Sequence, residues 1–176
     1  GSRLVGSEMC IRDRNDTLYD NIKFADIFEL PHGLKGFFDF DEGMSYAKEV
    51  NKPVLLDFTG HGCVNCRDIE ARVWPDQRVR DILNNDYVLV SLYVDDKTVL
   101  PEENWYVSSY DGKLKKSIGR QNSDFQISRF QNNAQPYYVV INPFSDQITS
   151  PPWGYELNIQ KYINNLKKGI DAFYKN

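Results

Sequence analysis

The chain has 176 residues, three cysteines, a formal net charge of −4 at pH 7, and 11 Tyr, 10 Phe and 3 Trp. That length and aromatic content exclude disorder and give one domain a real core without disulfide staples, and the mixed charge excludes a basic nucleic-acid surface. No apolar run approaches the ~20 residues of a membrane span, so no direct membrane insertion is expected, and no signal peptide or lipidation motif is recognisable, which fits a cytosolic protein or an excised extracytoplasmic piece.

Residues 1–14 match nothing downstream: Gly1-Ser2 reads as a tag remnant and Ser7 to Arg14 as a cloning or sequence-assembly scar. Cys10 is then an incidental thiol; the rival reading makes it a regulatory third cysteine. Residues 15–40 mix Phe24, Ile27, Phe28, Leu30, Phe37 and Phe38 with turn formers. They predict an extended N-terminal segment packed on the domain edge, with room for a short strand. Asp41 is the expected N-cap of a helix over about 42–50, with Met44, Ala47 and Val50 at helical spacing. Asn51-Lys52-Pro53 ends it, and Pro53-Val54-Leu55-Leu56-Asp57-Phe58 reads as a strand.

Gly60-His61-Gly62-Cys63-Val64-Asn65-Cys66 follows, and Arg67 to Val73 reads as helix. A strand, a glycine turn and Cys-x-x-Cys opening a helix form the context of a redox motif. The N-terminus of a helix presents unpaired N–H groups and the positive end of the dipole, so a Cys63 thiolate is favoured there. Cys66, nearly one turn on, is expected to be more buried and to act second. The two glycines are expected to allow a sharp turn that leaves the first sulfur exposed. His61 has two readings, a cation beside the Cys63 thiolate or a solvent-facing turn residue. A zinc site needs about four ligands, and only His32 and His61 could join the pair, so no metal is expected.

Trp74-Pro75 must break the helix, Asp76 can cap a second piece carrying Val79, Ile82 and Leu83, and Tyr87 to Val94 is a strand buried on both faces. Asp95 to about Asn122 reads as a long polar connection, with Asp111-Gly112 signalling a small hairpin. Ser123-Asp124 is expected to cap a short helix with Phe125, Ile127 and Phe130. Gln135-Pro136-Tyr137-Tyr138 then opens an apolar strand, with Pro136 a candidate cis-proline. Asn142 to Asp146 turns into a short strand over 147–150, and Asn158 caps a final helix with Ile159, Tyr162, Ile163, Leu166, Ile170 and Phe173 on one stripe.

The order β–α–β, then α–β–β–α, with Cys-x-x-Cys at the first strand-to-helix junction and proline opening a later strand, resembles the thioredoxin fold over about residues 40–176. The fold class expected is α/β: a central mixed sheet flanked by helices, with an N-terminal extension at 15–40 and an insertion at about 95–122 before the cis-proline strand. Lys52 to Gly60, Cys63 to Glu70, Trp74-Pro75-Asp76, Tyr93-Val94-Asp95-Asp96 and Gln135 to Tyr138 are similar to the C-terminal periplasmic domain of DsbD-type thiol:disulfide interchange proteins, in their Bacteroidetes form. The usual thioredoxin Cys-Gly-Pro-Cys is absent.

The resemblance implies a periplasmic protein-disulfide reductase that receives electrons from a membrane domain and hands them to an N-terminal domain of the same full-length protein. It implies no dissociable cofactor and a monomeric fragment whose partners are protein thiols and disulfides. Asp57 matches the family's buried acid, where burial would raise its pKa and let it exchange a proton with Cys66; the alternative is an inert hydrogen-bonded strand residue. Glu70 matches a second acid near the thiols, or is a solvated helix residue. Gln135, Pro136 and Tyr137 would pair with a partner's extended segment, and the alternative for Pro136 is an edge-strand proline. Rival readings are a free-standing periplasmic thioredoxin-like reductase or isomerase, and a non-catalytic binding module.

Overall fold

Apolar runs that are too short for helices and flanked by proline or asparagine turns form the three six-residue strands. The computed structural model describes residues 21–175. The expected scar at 1–14 with Cys10, and positions 15–20 of the expected extension, lie outside the described residues. In chain order the elements are α1 (Phe40–Val50), β1 (Val54–Thr59), α2 (Val64–Arg72), α3 (Gln77–Asn85), β2 (Val88–Tyr93), β3 (Tyr106–Val107), β4 (Leu114–Lys115), α4 (Ile118–Phe130), β5 (Tyr137–Asn142), β6 (Gln147–Ile148) and α5 (Ile159–Lys175).

The main sheet has the order β2-β1-β5-β6. β1 runs parallel to β2 and antiparallel to β5, so Asp57 is flanked by Ser91 on one side and Tyr138 on the other. All six residues of β1 and of β2 are buried, because helices cover both faces. On one face Val54, Leu56, Phe58, Val90, Leu92, Val139 and Ile141 pack with Met44 and Ala47 of α1, joined by Phe125 and Phe130 of α4. On the other, Leu55, Leu89, Tyr138 and Val140 pack with Ile69 of α2, Val79 and Leu83 of α3, and Tyr162, Ile163 and Leu166 of α5. Side chains alternate along a strand, so Asp57 lies on the face of Leu55, beneath α2.

Two expectations need correction. The first helix starts earlier than expected, because Asp39 and not Asp41 is its cap: Asp39 Oδ2 accepts from the Glu42 N–H at 3.0 Å. The segment before it packs along the sheet edge, as expected, and also into the core. Phe28, Leu30, Leu34, Phe37 and Phe38 are all buried, and Phe37 adds a single parallel bridge to Val90 at the edge of β2. The long connection ends at Ser117, whose hydroxyl caps α4 by accepting from the Arg120 N–H at 3.2 Å. Ser123 and Asp124 therefore lie inside a helix rather than at its start. Asp124 faces inward and accepts from Ser108 Oγ at 2.5 Å and Tyr106 OH at 2.9 Å, which pins the expected β3–β4 hairpin to α4. The break at Trp74-Pro75, the Asp76 cap and the Asn158 cap stand where the sequence puts them, Asn158 Oδ1 accepting from the Lys161 N–H at 3.0 Å.

Candidate active site

β1 delivers the chain to the turn 60–62, and α2 opens with Cys63 as its N-cap. Cys63 and Cys66 form a disulfide, with Cα atoms 5.2 Å apart. Cys63 Sγ accepts the Cys66 N–H at 3.2 Å, so one of the orphan donors of the helix start is aimed at the first sulfur. Cys63 is half-buried, and Cys66 is only 2% exposed. Val64 between them is 73% exposed, so the first sulfur and its neighbour face solvent while the second faces the core.

Beneath α2 sits a group of polar side chains. Asp57 is 2% exposed, and burial pushes its carboxyl up to about 7 against the pull of the Ser91 hydroxyl; the Glu70 charge adds to the rise and Arg67 opposes it. The Glu70 carboxyl is also raised, by burial, with Arg67 and His32 opposing. Arg67 Nη2 donates to Thr59 Oγ1 at 2.9 Å and pairs with Glu70 Oε1 at 3.1 Å. The two acids singled out from the sequence are thus brought together around one guanidinium that the sequence reading missed. The signal for Arg67 was its i,i+3 spacing to Glu70 on a short helix.

His61 points elsewhere. Its Nε2 is 2.7 Å from Asp96 Oδ2, and its ring stacks on Phe28 and lies against Tyr93, with centroids 5.8 and 4.6 Å away. Burial raises the Asp96 carboxyl, but hydrogen bonds from Thr98 and His61 outweigh it and hold the group below its ordinary value. Asp95, the neighbouring carboxylate at the exit of β2, accepts from the His61 N–H at 2.7 Å and the Gly62 N–H at 2.9 Å. Neither Gly60 nor Gly62 has positive φ, so the glycines are not there for a left-handed turn. Gly60 is glycine because a Cβ would come within 3.0 Å of Asp95 Oδ2. Asp95 and Asp96 carried no role in the sequence reading; two acids directly after an apolar strand were the available signal.

Pro136 is buried, and its bond to Gln135 is cis. It stands one position beyond the Phe58–Tyr137 register pair, at the end of the sheet where β1 enters the redox turn. The loop before it is held from inside by Gln126, 1% exposed, whose Nε2 donates to the Ala134 carbonyl at 2.8 Å and whose Oε1 accepts from Gln135 Nε2 at 2.9 Å. Tyr137 is half-buried against Phe58, with ring centroids 6.3 Å apart, and Tyr138 is in the core. Among the described residues no cluster of three or more His, Cys, Asp or Glu side chains could hold a metal ion, and no helix is long and apolar enough to cross a membrane.

A family model described as thioredoxin-like matches residues 36–143. No curated protein sequence matches. Among solved structures, a DsbH oxidoreductase superposes on 82% of this chain and 91% of its own, at TM-score 0.57 and 16% identity. A thioredoxin from Thermus thermophilus covers 76% of this chain and 85% of its own, at TM-score 0.54 and 16% identity. The oxidised DsbD C-terminal domain of Neisseria meningitidis covers 76% and 98%, at TM-score 0.50 and 15% identity. At such identities the likeness is one of fold.

Proposed function

This chain belongs to the thioredoxin-like family, and from that premise we propose that it is a thiol-disulfide oxidoreductase working as a reductant of protein disulfides. The observation that carries the reading is the Cys63–Cys66 disulfide at the start of α2, with one sulfur half-exposed and the other buried. In the reduced protein the Cys63 thiolate attacks a sulfur of the partner's disulfide. An S–S bond forms to Cys63, the partner's own S–S bond breaks, and its freed thiolate takes a proton. Cys66 then loses its proton and attacks Cys63 Sγ, closing the internal disulfide and releasing the partner's second thiol. Two electrons and two protons pass to the partner. Asp57, buried under α2 and near neutrality in its titration, is the group we assign to take the Cys66 proton.

The charges around the pair support the reductant direction. Negative groups near the pair disfavour a thiolate in the reduced form, which makes the dithiol a better electron donor. Asp57 and Glu70 supply such charge when ionised, offset by one Arg67. The sequence resemblance to DsbD-type domains supports a relay that takes electrons from a membrane domain and passes them to periplasmic partner proteins. In this reading the domain is a monomer, needs no dissociable cofactor, and docks a partner's extended segment against Gln135, Pro136 and Tyr137.

The test is equilibration with glutathione in a Cys10→Ser background, together with insulin reduction. A potential near about −200 to −270 mV with insulin turnover supports a reductant. A potential near about −120 mV reverses the direction of flow. No exchange at all leaves a binding module.

A further inference from the structure

The Asp95 carboxylate does more than close a turn. It accepts from two consecutive backbone N–H groups, those of His61 and Gly62, at 2.7 and 2.9 Å, immediately before Cys63. One glycine of the turn makes room for it: a Cβ on Gly60 would lie 3.0 Å from Asp95 Oδ2, whereas one on Gly62 would only touch the same atom at 3.7 Å. The carboxylate therefore sits against the backbone of the redox turn, where a side chain at position 60 would press on it. Its neighbour Asp96 holds the His61 ring at 2.7 Å, and that ring lies against the stacked pair of Phe28 and Tyr93, so the turn cannot swing clear of Asp95 without breaking these contacts.

Two electrostatic consequences share one sign. The N–H groups of His61 and Gly62 immediately precede Cys63, and Asp95 takes both, so their positive ends are spent on a carboxylate beside the pair. Its own negative charge lies within the same turn and repels that thiolate. Among the described residues, the other charged groups around the pair include Asp96 at the exit of β2, His61 on the turn, Asp57, Arg67 and Glu70 beneath α2, and His32, which faces Glu70. Arg67 already pairs with Glu70, and Asp96 with His61, which leaves Asp95 bonded to neutral backbone groups.

We propose that Asp95 is a positioning residue that sets the donor strength of the pair: it braces the turn and destabilises the Cys63 thiolate, which shifts the equilibrium from dithiol toward disulfide. The exchange it tunes is reduced pair plus oxidised glutathione giving the Cys63–Cys66 disulfide plus two reduced glutathiones. The inference rests on the redox reading of the site, and it concerns a residue distant in sequence from both cysteines.

The experiment compares Asp95→Asn, Asp95→Glu and the unaltered protein, all in the Cys10→Ser background. It measures the pH profile of Cys63 alkylation, the glutathione equilibrium and the melting temperature. Asp95→Asn is expected to shift the alkylation profile to lower pH and to change the glutathione equilibrium constant about tenfold toward the dithiol, which is about 30 mV for a two-electron couple. Asp95→Glu keeps the charge and is expected to stay near the unaltered protein in both, whatever it does to melting. Asp95→Ser, which removes the same charge with other geometry, stands in if Asp95→Asn does not fold. A drop in melting temperature with unchanged alkylation profile and equilibrium overturns the proposal and leaves Asp95 a purely structural brace. Failure of the unaltered protein to exchange with glutathione would sink the redox reading instead, while the alkylation profile would still report on Asp95.

Discussion

The Ser91 hydroxyl donates a 2.9 Å hydrogen bond to Asp57 Oδ2 across the β1–β2 pairing, and this is the polar link that the neighbouring strand supplies to a carboxyl otherwise enclosed by the core. One hydrogen bond favours the ionised form, but burial wins, and the group titrates near 7 instead of near 3.8. The folded state therefore holds the proton more tightly than the unfolded chain. The stabilisation this gives is fully present below about pH 4 and is lost as pH rises to about 7; the gap corresponds to about 4 kcal/mol. Asp57→Asn is expected to be more stable than the unaltered protein above pH 7, with the advantage shrinking through that window. Denaturant melts at pH 4, 6 and 8 check it, and an advantage that does not vary with pH refutes the buried proton. The same variant should alkylate Cys63 at lower pH, since a negative neighbour is gone.

Arg67 stands between two raised acids. Its guanidinium pairs with Glu70 at 3.1 Å and pulls the Asp57 carboxyl down. Arg67→Met is expected to move the titration of both carboxyls upward, and Glu70→Gln to move that of Asp57 downward. Carboxyl carbon chemical shifts followed against pH by NMR read both midpoints. If Asp57 titrates at the same pH in all three proteins, the coupling across α2 does not exist.

Much of the architecture was legible because the chain is locally consistent. Val54–Thr59 and Val88–Tyr93 are apolar runs of strand length, Trp74-Pro75 stops a helix, and Asn158 starts one. The start of α4 was hidden for a physical reason. Its buried face includes Gly119, Asp124 and Gln126, polar or small residues kept inside by hydrogen bonds and close approach, so hydropathy showed no stripe. Gly119 is there because a Cβ would lie 2.5 Å from the Asp96 carbonyl. In the site, Cys63, Cys66 and the cis-proline at 136 could be read from local pattern. The partners of Asp95, Asp96, Ser91 and Phe28 could not, because each acts across the sheet or from a distant segment; the acid pair after β2 marked a place but no spacing rule links position 28 or 95 to position 61.

Gly169 shows how tightly α5 is seated. A Cβ there would fall 2.5 Å from Tyr87 Oη and 2.7 Å from Val140 Cγ2, and the Tyr87 hydroxyl is already committed to the Leu166 carbonyl at 2.5 Å. Gly169→Ala gains helix propensity but must displace strand and ring atoms, a net loss of about 1–3 kcal/mol. For a chain of this size that lowers the melting temperature by about 2–4 °C per kcal/mol. The glutathione equilibrium should not change, since α5 does not touch the disulfide. A melting temperature equal to that of the unaltered protein would show that α5 can slide outward at little cost.

Gln126 offers a test of where partners dock. Its amide is buried and satisfies the loop from Asn132 to Gln135 from the inside, through Ala134 O and Gln135 Nε2. Gln126→Leu removes the two bonds to the exposed Ala134 carbonyl and the half-buried Gln135 amide, which keeps its bond to the Asn133 carbonyl at 3.0 Å, at about 0.5–1.5 kcal/mol for each lost bond, and frees the loop that leads into Pro136. The disulfide itself is held by β1 and α2, so its potential should stay the same. If partners pair with the 135–137 backbone, the variant should reduce insulin several-fold more slowly through a higher KM, and reduce a small aromatic disulfide at an unchanged rate. Equal slowing with both substrates would place the defect at the sulfurs. No slowing with either would remove the Gln135–Tyr137 loop from partner recognition and leave Val64, exposed beside Cys63, as the contact to examine next.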